Sequence, residues 1–334
     1  GVQPDVLACR TEYPLTPDIR RKLAQFCNVE TTAVIEALDA DSIYDVPILL
    51  YKERLDTVVI TKLHLRDTKE PNLNTWKAFL VKLKNPKEEI QIGLIGKYNE
   101  LPDAYKSIYE SFVHAGAVNE CKVRVVPIHA EALEGTFLHV EHTLAGLKGI
   151  LVAPGFGERG IPGKLMSIRY AREKNIPFFG ICLGMQMACV EFARHVLNLE
   201  GAASTEVSPQ TPHPVIDMME SQKTVSQKGG TMRLGAFDCD ILKKSKAHEA
   251  YKHTRISERH RHRWEFNNAY LKAFEEAGMR ATGLNPDTGL VEIMELQNHP
   301  WFVGVQFHPE LKSTVESPHP LFVSFVKAVM SYEL

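Results

Sequence analysis

The run Ile176-Pro177-Phe178-Phe179-Gly180-Ile181-Cys182-Leu183-Gly184 passes from a strand-like segment into a helical one without a linker. Its apolar first half is typical of a buried strand, and helical periodicity continues to Val196. Glycines flank Cys182 because such a turn is too tight for side chains beside the nucleophile. The helix offers its first N–H groups to the sulfur, which favours a thiolate. We therefore predict a nucleophilic cysteine here, although a lone cysteine is more often structural.

Similar segments lie on both sides of this run. Apolar strands are predicted at Ile90–Gly96, Lys122–Ile128 and Gly149–Ala153, with helices around Tyr105–His114 and at Lys164–Lys174. Strands that alternate with helices indicate an α/β fold with a mostly parallel sheet and helices on both faces. Ligands of such sheets lie at the carboxyl ends of the strands, so we expect the chemistry there.

Size and composition exclude several classes of protein. The chain has 334 residues and a mass of 37.6 kDa, more than one hydrophobic core usually fills. A net charge of -2 and a pI of about 6.7 argue against a nucleic-acid partner. No apolar run approaches the roughly 18 to 20 residues that a membrane-spanning helix needs. The six cysteines form no CxxC pair, which predicts free thiols in a reducing cytosol and no metal site.

A candidate base ends a second apolar run, Val303 to Phe307. His308 follows it directly, and Glu310 comes two residues later. Alternation along an extended chain would place both side chains on one side, so that the carboxylate orients the imidazole. A lone histidine is more often a core or loop residue, but this spacing favours catalysis. Cys182, His308 and Glu310 therefore form a predicted triad for acyl transfer.

Acyl transfer also needs N–H donors for the developing oxyanion. The Leu183 N–H, directly after the nucleophile, is one candidate. The Gly155 N–H is the other, because a glycine lets the backbone approach closely. Pro154 has no N–H and cannot serve.

Two other motifs have weaker functional interpretations. Residues 155–160 match G-x-G-x-x-G, but we expect Pro162 and Gly163 to interrupt the helix that a dinucleotide site needs, and the next strand ends in Cys182 instead of a ribose-binding acid. The basic run from Glu258 to Glu265 is too isolated for a nucleic-acid patch. Alternation there would put Arg259, Arg261 and Arg263 on one side, suited to a carboxylate or phosphate or to a solvated face.

Composition divides the chain into three segments. Residues 1–66 contain too few elements to bury a core alone and are interpreted as part of a larger domain. Residues 67–89 form a polar, proline-punctuated linker around one helical patch, Trp76 to Leu83, and residues 90–334 form the main domain. Within it, Met219 to Gly230 is predicted to be a mobile insertion. The chain opens at Gly1 without an initiator Met or a leader, so we interpret it as a piece of something longer.

With these features, residues 90–334 resemble the class I glutamine amidotransferase domain, which releases ammonia from glutamine through a cysteinyl thioester. Further blocks are similar to the CTP synthase family: Gly96–Tyr98, Leu101–Ser107, Gly155–Gly157, Gly230–Gly235, Glu258–Arg263 and Asn298–Phe302. The leading segment is similar to the end of that family's synthetase domain, at Gly1–Asp5, Leu23–Val29 and Asp41–Tyr44.

The resemblance implies a glutamine-hydrolysing CTP synthase, a cytoplasmic ligase of pyrimidine biosynthesis, with this chain as its glutaminase portion. That family uses ATP to activate UTP and replaces the activated oxygen with ammonia from glutamine, forming CTP. It implies GTP as allosteric activator, a homotetramer at full length, and no nucleic-acid or membrane partner. It implies no cofactor for the glutaminase domain; ATP and Mg2+ belong to the synthetase domain. Most of that domain would precede Gly1, so we expect that this chain does not make CTP alone.

Residue by residue, the resemblance implies that Cys182 is the nucleophile, His308 the base and Glu310 its orienter. The glutamine contacts that it implies are Gly155, Phe156, Gln186, Glu206 and Arg263, with Glu206 at the substrate ammonium and Arg263 at its carboxylate. In the synthetase remnant it implies nucleotide contacts at Lys22 and Asp39. A GTP effector region is implied around Lys97, Tyr98 and Lys106.

Two departures from the family pattern bear on these assignments. Pro154 stands where many members have glycine, which leaves the Gly155 N–H as the donor, and Trp264 replaces a tyrosine. Two alternative functions stay open. The chain could be a binding or regulatory module that is inert without its synthetase partner, or an amidotransferase for another acceptor, as in GMP or anthranilate synthesis. Residues 1–66 and the block Lys97–Ser107 argue against another acceptor.

Overall fold

A computed structural model describes residues 3–66, 69–101, 103–218 and 232–333. The predicted insertion Met219–Gly230 lies outside the described residues, as do Asp67 and Thr68 of the predicted linker. The chain divides into two compact units, Gly1–Lys84 and Asn85–Leu334. The predicted segment boundaries at residues 66 and 89 stay predictions.

The first unit is a small α/β arrangement. Its elements are β1 (Leu7–Thr11), α1 (Pro17–Phe26), β2 (Val34–Leu38), α2 (Val46–Lys52), α3 (Leu55–Lys62) and α4 (Asn74–Lys84). Strands β1 and β2 pair in parallel. Helix α1 begins at Pro17, because the Thr16 side chain accepts from the Ile19 N–H and a proline is tolerated in the first turn. The helical patch predicted at Trp76–Leu83 forms most of α4.

The second unit opens with the predicted alternation of strands and helices. Its first elements are β3 (Glu88–Gly96), α5 (Lys106–Val118), β4 (Cys121–His129), α6 (Phe137–Leu144), β5 (Gly149–Val152), α7 (Ile161–Glu173), β6 (Phe178–Ile181) and α8 (Leu183–His195). Then follow β7 (Ala203–Ser204), β8 (Pro214–Met218), β9 (Arg233–Ile241), α9 (Lys246–Tyr251), β10 (Arg255–His262), β11 (Trp264–Phe266), α10 (Leu271–Glu276), β12 (Met279–Leu284), β13 (Val291–Leu296), β14 (Phe302–Val305) and α11 (Pro320–Met330).

Most of these strands join one mixed sheet. Within the described ranges it has nine strands in the order β10-β9-β12-β13-β14-β6-β5-β3-β4. From β14 to β4 the neighbours run parallel, and from β10 to β14 they run antiparallel. The predicted α/β fold with its parallel strands is therefore confirmed. The antiparallel half was not predicted, so the sheet is mixed and not mostly parallel.

Helices cover both faces of the sheet, as predicted. One core cluster contains apolar side chains of α7 and α8, such as Ile168 and Phe192. A second cluster contains those of α5 and α11, such as Phe112 and Phe325. Because β5 and β6 contribute to both clusters, their residues are buried on both sides, which accounts for their continuous apolar sequence.

The start of α7 corrects one expectation. The helix begins at Ile161 and Pro162 lies in its first turn. A proline is tolerated there because the N–H that it lacks has no partner within the helix. The prediction that Pro162 and Gly163 interrupt this helix was therefore wrong. The sheet strand that follows does end at Cys182, so the other objection to a dinucleotide site still holds.

Candidate active site

Cys182 lies at a sharp turn between β6 and α8. Its φ of 52° and ψ of -103° are unusual for a residue with a side chain. A Cβ on Gly184 would lie 2.3 Å from the Val152 carbonyl oxygen, and one on Gly180 would lie 2.8 Å from the carbonyl carbon of Gly184. Neither contact is possible between real atoms, so both glycines are required. The predicted strand–cysteine–helix turn is thus present.

The turn is tied to the neighbouring strand. The Cys182 N–H donates to the carbonyl of Val305, the last residue of β14, at 2.7 Å. The cysteine itself is only 3% exposed. Its sulfur lies at the N-terminus of the 13-residue helix α8, where the helix dipole favours a negative charge. The fold therefore holds the sulfur at the helix N-terminus that the sequence predicted.

The side chains of His308 and Glu310 are in contact as predicted, but the backbone conformation between them differs from the predicted one. The His308 Nδ1 lies 2.7 Å from the Glu310 Oε1. The chain is not extended here, because residues Pro309–Leu311 form a 3-10 turn. The His308 N–H donates to the Arg259 carbonyl at 2.8 Å, which anchors the histidine to β10. The expected alternation was therefore wrong, whereas the contact between imidazole and carboxylate is present.

The environment of His308 keeps its ring protonated. Burial acts to lower its pKa, but interactions with Cys182 and with Glu310 outweigh it and raise the pKa of His308 to about 10. The Nε2 atom is buried, and the Cys182 side chain interacts with the ring. The site therefore contains a charged imidazole that can be used as an acid toward a leaving group.

The glycine loop after β5 lies against the nucleophile turn. A Cβ on Gly155 would lie 3.6 Å from the Leu183 side chain, so the loop packs against the residue that follows the nucleophile. Among the described residues, no acceptor takes the Gly155 N–H or the Leu183 N–H. Backbone donors without acceptors are what a developing oxyanion requires, so both N–H groups stay candidates for this role.

Of the residues predicted to contact glutamine, Arg263 has a side-chain nitrogen without a partner among the described residues, whereas Glu206 and Gln186 already make hydrogen bonds. The Nε atom of Arg263 is buried and has no hydrogen-bond partner among the described residues. Glu206 accepts the Gly157 N–H at 2.9 Å through one oxygen. Gln186 is 3% exposed and donates to the Trp264 carbonyl at 2.8 Å. Arg263 follows the end of β10, so it does not continue the exposed face on which Arg259 and Arg261 lie.

One residue of the site was missed in the sequence. Gln306 is fully buried, and its Nε2 lies 3.6 Å from the Cys182 sulfur. Its Oε1 accepts from the Gln186 amide at 3.2 Å, which orients the Gln306 amide with its N–H groups toward the sulfur. The signal was present, because Gln306 stands two residues before His308 at the end of a strand.

The family comparison agrees with this geometry. Residues 100–328 match the family model for glutamine amidotransferase class-I, and residues 1–65 match that for the CTP synthase N-terminus. The chain belongs to the class-I glutamine amidotransferase family, in its CTP synthase branch. The amidotransferase match contains the whole of the predicted triad.

Two relatives with high sequence identity to this chain are CTP synthases. The CTP synthases of Cytophaga hutchinsonii and Christiangramia forsetii are each 60% identical to it, over 99% and 100% of this chain. The chain spans 61% of the length of each of these relatives. The solved Trypanosoma brucei CTPS glutaminase domain with bound acivicin is 35% identical, with a TM-score of 0.68 over 73% of this chain and 95% of that domain.

Of the residues predicted to form the GTP effector region, Lys97 contacts the glycine loop. Lys97 is buried and donates to the Phe156 carbonyl, and to the Gly157 carbonyl at 3.4 Å. Tyr98 is 37% exposed and Lys106 is exposed. Because the ammonium of Lys97 already has protein partners, the role of this region toward GTP stays a prediction.

The two residues predicted to contact nucleotide lie in the first unit. Asp39 accepts from Arg10 at 2.9 Å and lines a cavity of about 530 Å3. Lys22 is exposed on α1 and does not line that cavity. Over the residues that the structure describes, no helix is both long enough and apolar enough to cross a membrane.

Proposed function

We propose that this chain hydrolyses glutamine to glutamate and ammonia through a cysteinyl thioester. The observation that carries the proposal is the placement of Cys182 at the turn into α8, with a charged His308 held by Glu310 beside it. Membership of the class-I glutamine amidotransferase family supports the same chemistry.

In the first half-reaction the Cys182 thiolate attacks the side-chain carbonyl carbon of glutamine. The negative charge that develops on the carbonyl oxygen is stabilised by the N–H groups of Gly155 and Leu183. His308 then donates its proton to the leaving nitrogen, so ammonia departs and a thioester to Cys182 remains. Glu310 keeps the imidazole oriented throughout.

In the second half-reaction water replaces ammonia. The neutral His308 takes a proton from water, which attacks the thioester carbonyl at the same oxyanion donors. Collapse of that intermediate releases glutamate and restores the thiolate and the imidazolium. Glu206 and Arg263 have the charges needed to hold the ammonium and the carboxylate of the substrate, and the unpartnered Nε of Arg263 supports its part of this assignment.

The ammonia serves the conversion of UTP to CTP in the protein of full length. The match of residues 1–65 to the CTP synthase N-terminus supports this destination. ATP and Mg2+ would act in the synthetase domain, and the effector region around Lys97, Tyr98 and Lys106 would respond to GTP. A cytoplasmic homotetramer follows from the same resemblance and is part of the proposal.

The test is glutamate release from glutamine by the purified chain, with and without GTP, beside Cys182→Ala. We expect release by the wild type and none by the variant, which loses only the sulfur. Activity that persists in Cys182→Ala would contradict the triad. Saturable labelling of Cys182 by a glutamine analogue, without any glutamate release, would indicate a binding module and not an enzyme.

A further inference from the structure

Lys164 is a fully buried lysine whose charge the proposed mechanism does not use. It lies in the first turns of α7, with 0% exposure. Its Nζ donates to the Ala153 carbonyl at 2.8 Å. Taking an ammonium out of water is costly, so such a residue is retained only where its contacts are needed.

The carbonyl that Lys164 holds lies just before the oxyanion donor. Ala153 precedes Pro154, and the ring of Pro154 fixes its own φ. Once the Ala153 carbonyl is held, the direction of the Gly155 N–H depends on one soft dihedral, the ψ of Pro154. A hydrogen bond at Ala153 therefore leaves the ψ of Pro154 as the one soft dihedral that orients the Gly155 N–H from this side.

A second lysine holds the other side of the same loop. Lys97, at the start of the segment after β3, donates to the carbonyls of Phe156 and Gly157. Its side chain also limits Gly155, because a Cβ there would lie 3.2 Å from the Lys97 Cε. The carbonyls on both sides of Gly155 are thus held by ammonium groups, while the Gly155 N–H keeps no acceptor among the described residues.

Lys164 interacts electrostatically with several groups of the site, including the nucleophile Cys182. Burial, and then the Lys97 cation, lower the pKa of Lys164 to about 7, while Cys182 and Glu131 act to raise it. A positive charge that interacts with Cys182 favours the anionic states of the reaction as well as the position of the loop.

We propose that Lys164 is a positioning residue for the oxyanion donor: by holding the Ala153 carbonyl it fixes the Ala153–Pro154 peptide and so restricts the directions in which the Gly155 N–H can point. This inference rests on the proposed glutaminase function for its kinetic consequence. Its structural consequence, an ordered loop at residues 153–160, does not depend on that function.

The kinetic test compares Lys164→Met with wild type and with Lys174→Met. Lys174 follows the same helix but pairs with Glu141 at the surface, so its variant is a matched control. We expect Lys164→Met to lower kcat for glutamate release about 10- to 100-fold with little change in KM, since a misplaced oxyanion donor costs that much. Alkylation of Cys182 by iodoacetamide develops no oxyanion, so it should report only the lost Lys164 charge and should slow by a smaller factor than kcat.

A second measurement works without turnover. Hydrogen exchange of the peptide covering residues 153–160 should be faster in Lys164→Met than in wild type or Lys174→Met, with other peptides of the second unit unchanged. Unchanged exchange there, or a kcat within twofold of wild type, would overturn the positioning role. If wild type releases no glutamate, the proposed function fails, and hydrogen exchange alone decides whether Lys164 orders the loop.

The variant Lys164→Gln provides a second test in case Lys164→Met does not fold. It keeps an N–H donor without the charge, so we expect an intermediate kcat and intermediate exchange. A melting temperature at or above that of wild type would show that the loss of activity is not unfolding, since the methionine variant removes a buried charge. If Lys164→Met does not fold, the same comparison is made with Lys164→Gln, and wild-type kcat and exchange in that variant would overturn the positioning role, because its shorter, neutral side chain holds the Ala153 carbonyl more weakly.

Discussion

The parallel and antiparallel halves of the nine-stranded sheet differ in the kinds of residue that they bury. In the parallel half, every residue of β5, β6 and β14 is buried, and none of these residues is charged. In the antiparallel half, β10 buries Glu258, His260 and His262, and β13 buries Glu292. The parallel half holds the nucleophile by apolar packing, whereas the antiparallel half depends on how its polar groups are paired.

Burial changes the charge states of this polar cluster. Arg233 lies 2.6 Å from Glu292, and both side chains are nearly inaccessible. Burial raises the pKa of Glu292 to about 7 and that of Glu265 to about 8, while it lowers the pKa of His262 to about 3. We therefore expect mutations in the parallel half to act through volume, and those in the antiparallel half to act through charge and pH.

The largest effect is expected where one partner of a buried ion pair is removed. Arg233→Met should lower the free energy of unfolding by about 3 to 5 kcal/mol at pH 8, because it leaves the Glu292 carboxylate uncompensated. Urea unfolding measures this change. The double variant Arg233→Met/Glu292→Leu should recover most of the loss, and a double variant as unstable as the single one would contradict the importance of charge here.

The next effect tests packing in the parallel half. Gly184→Ala forces a methyl group toward the Val152 carbonyl, only 2.3 Å from where its Cβ would stand. We expect a loss of about 1 to 3 kcal/mol in stability together with loss of glutamate release, because α8 must move away from β5. The loss should be the same at pH 6 and pH 8. A stability loss that differs strongly between pH 6 and pH 8 would contradict the expectation that mutations in the parallel half act through volume.

A smaller effect is expected at the boundary between the halves, where Gln306 contacts the thiol. Gln306→Leu removes an N–H donor from the Cys182 sulfur and should slow its alkylation by iodoacetamide about tenfold at pH 7, as for one hydrogen bond to a charged group. Gln297→Leu is the control, since Gln297 is exposed. Equal rates in Gln306→Leu and wild type would show that the contact does not stabilise the thiolate.

The smallest effect is a change in the pH dependence of stability. The folded pKa of Glu265, about 8, is above its unfolded value, so the folded state binds the extra proton and loses stability as pH rises toward 8. Glu265→Gln cannot lose that proton. Relative to the variant, wild type should become less stable by about 1 kcal/mol from pH 6 to pH 7, since coupling to Glu292 shares the change. A constant difference in urea unfolding would refute the raised pKa.

The sequence predicted the parallel half because apolar runs and helical periodicity reveal it directly. Cys182 and His308 end such runs, so strand ends alone indicated both residues. The antiparallel half was not assigned because charges such as Arg233 and Glu292 normally indicate solvent-exposed positions. Their burial depends on contacts between residues far apart in sequence, which no local pattern contains.

Within the site, the backbone conformation at His308 and the burial of Lys164 could not be predicted from local sequence patterns. The contact between His308 and Glu310 was expected from strand alternation, but a 3-10 turn produces it, and both conformations bring residues two apart together. Lys164 has no local signal, because a lysine in an amphipathic helix usually points to water. Its burial follows only from the packing of α7 against the strand that ends before Ala153.

The strand order also determines when the site can assemble during synthesis. Strand β14 lies between β6 and β13, although more than 100 residues separate Phe178 from Phe302 in the sequence. Pairing at such separations is slow, because a long loop must close before any contact forms. Until residues 302–305 emerge, β6 is an uncovered edge and its cysteine has no histidine. Cys182 therefore meets its histidine only after the segment that contains β14 and His308 has been made.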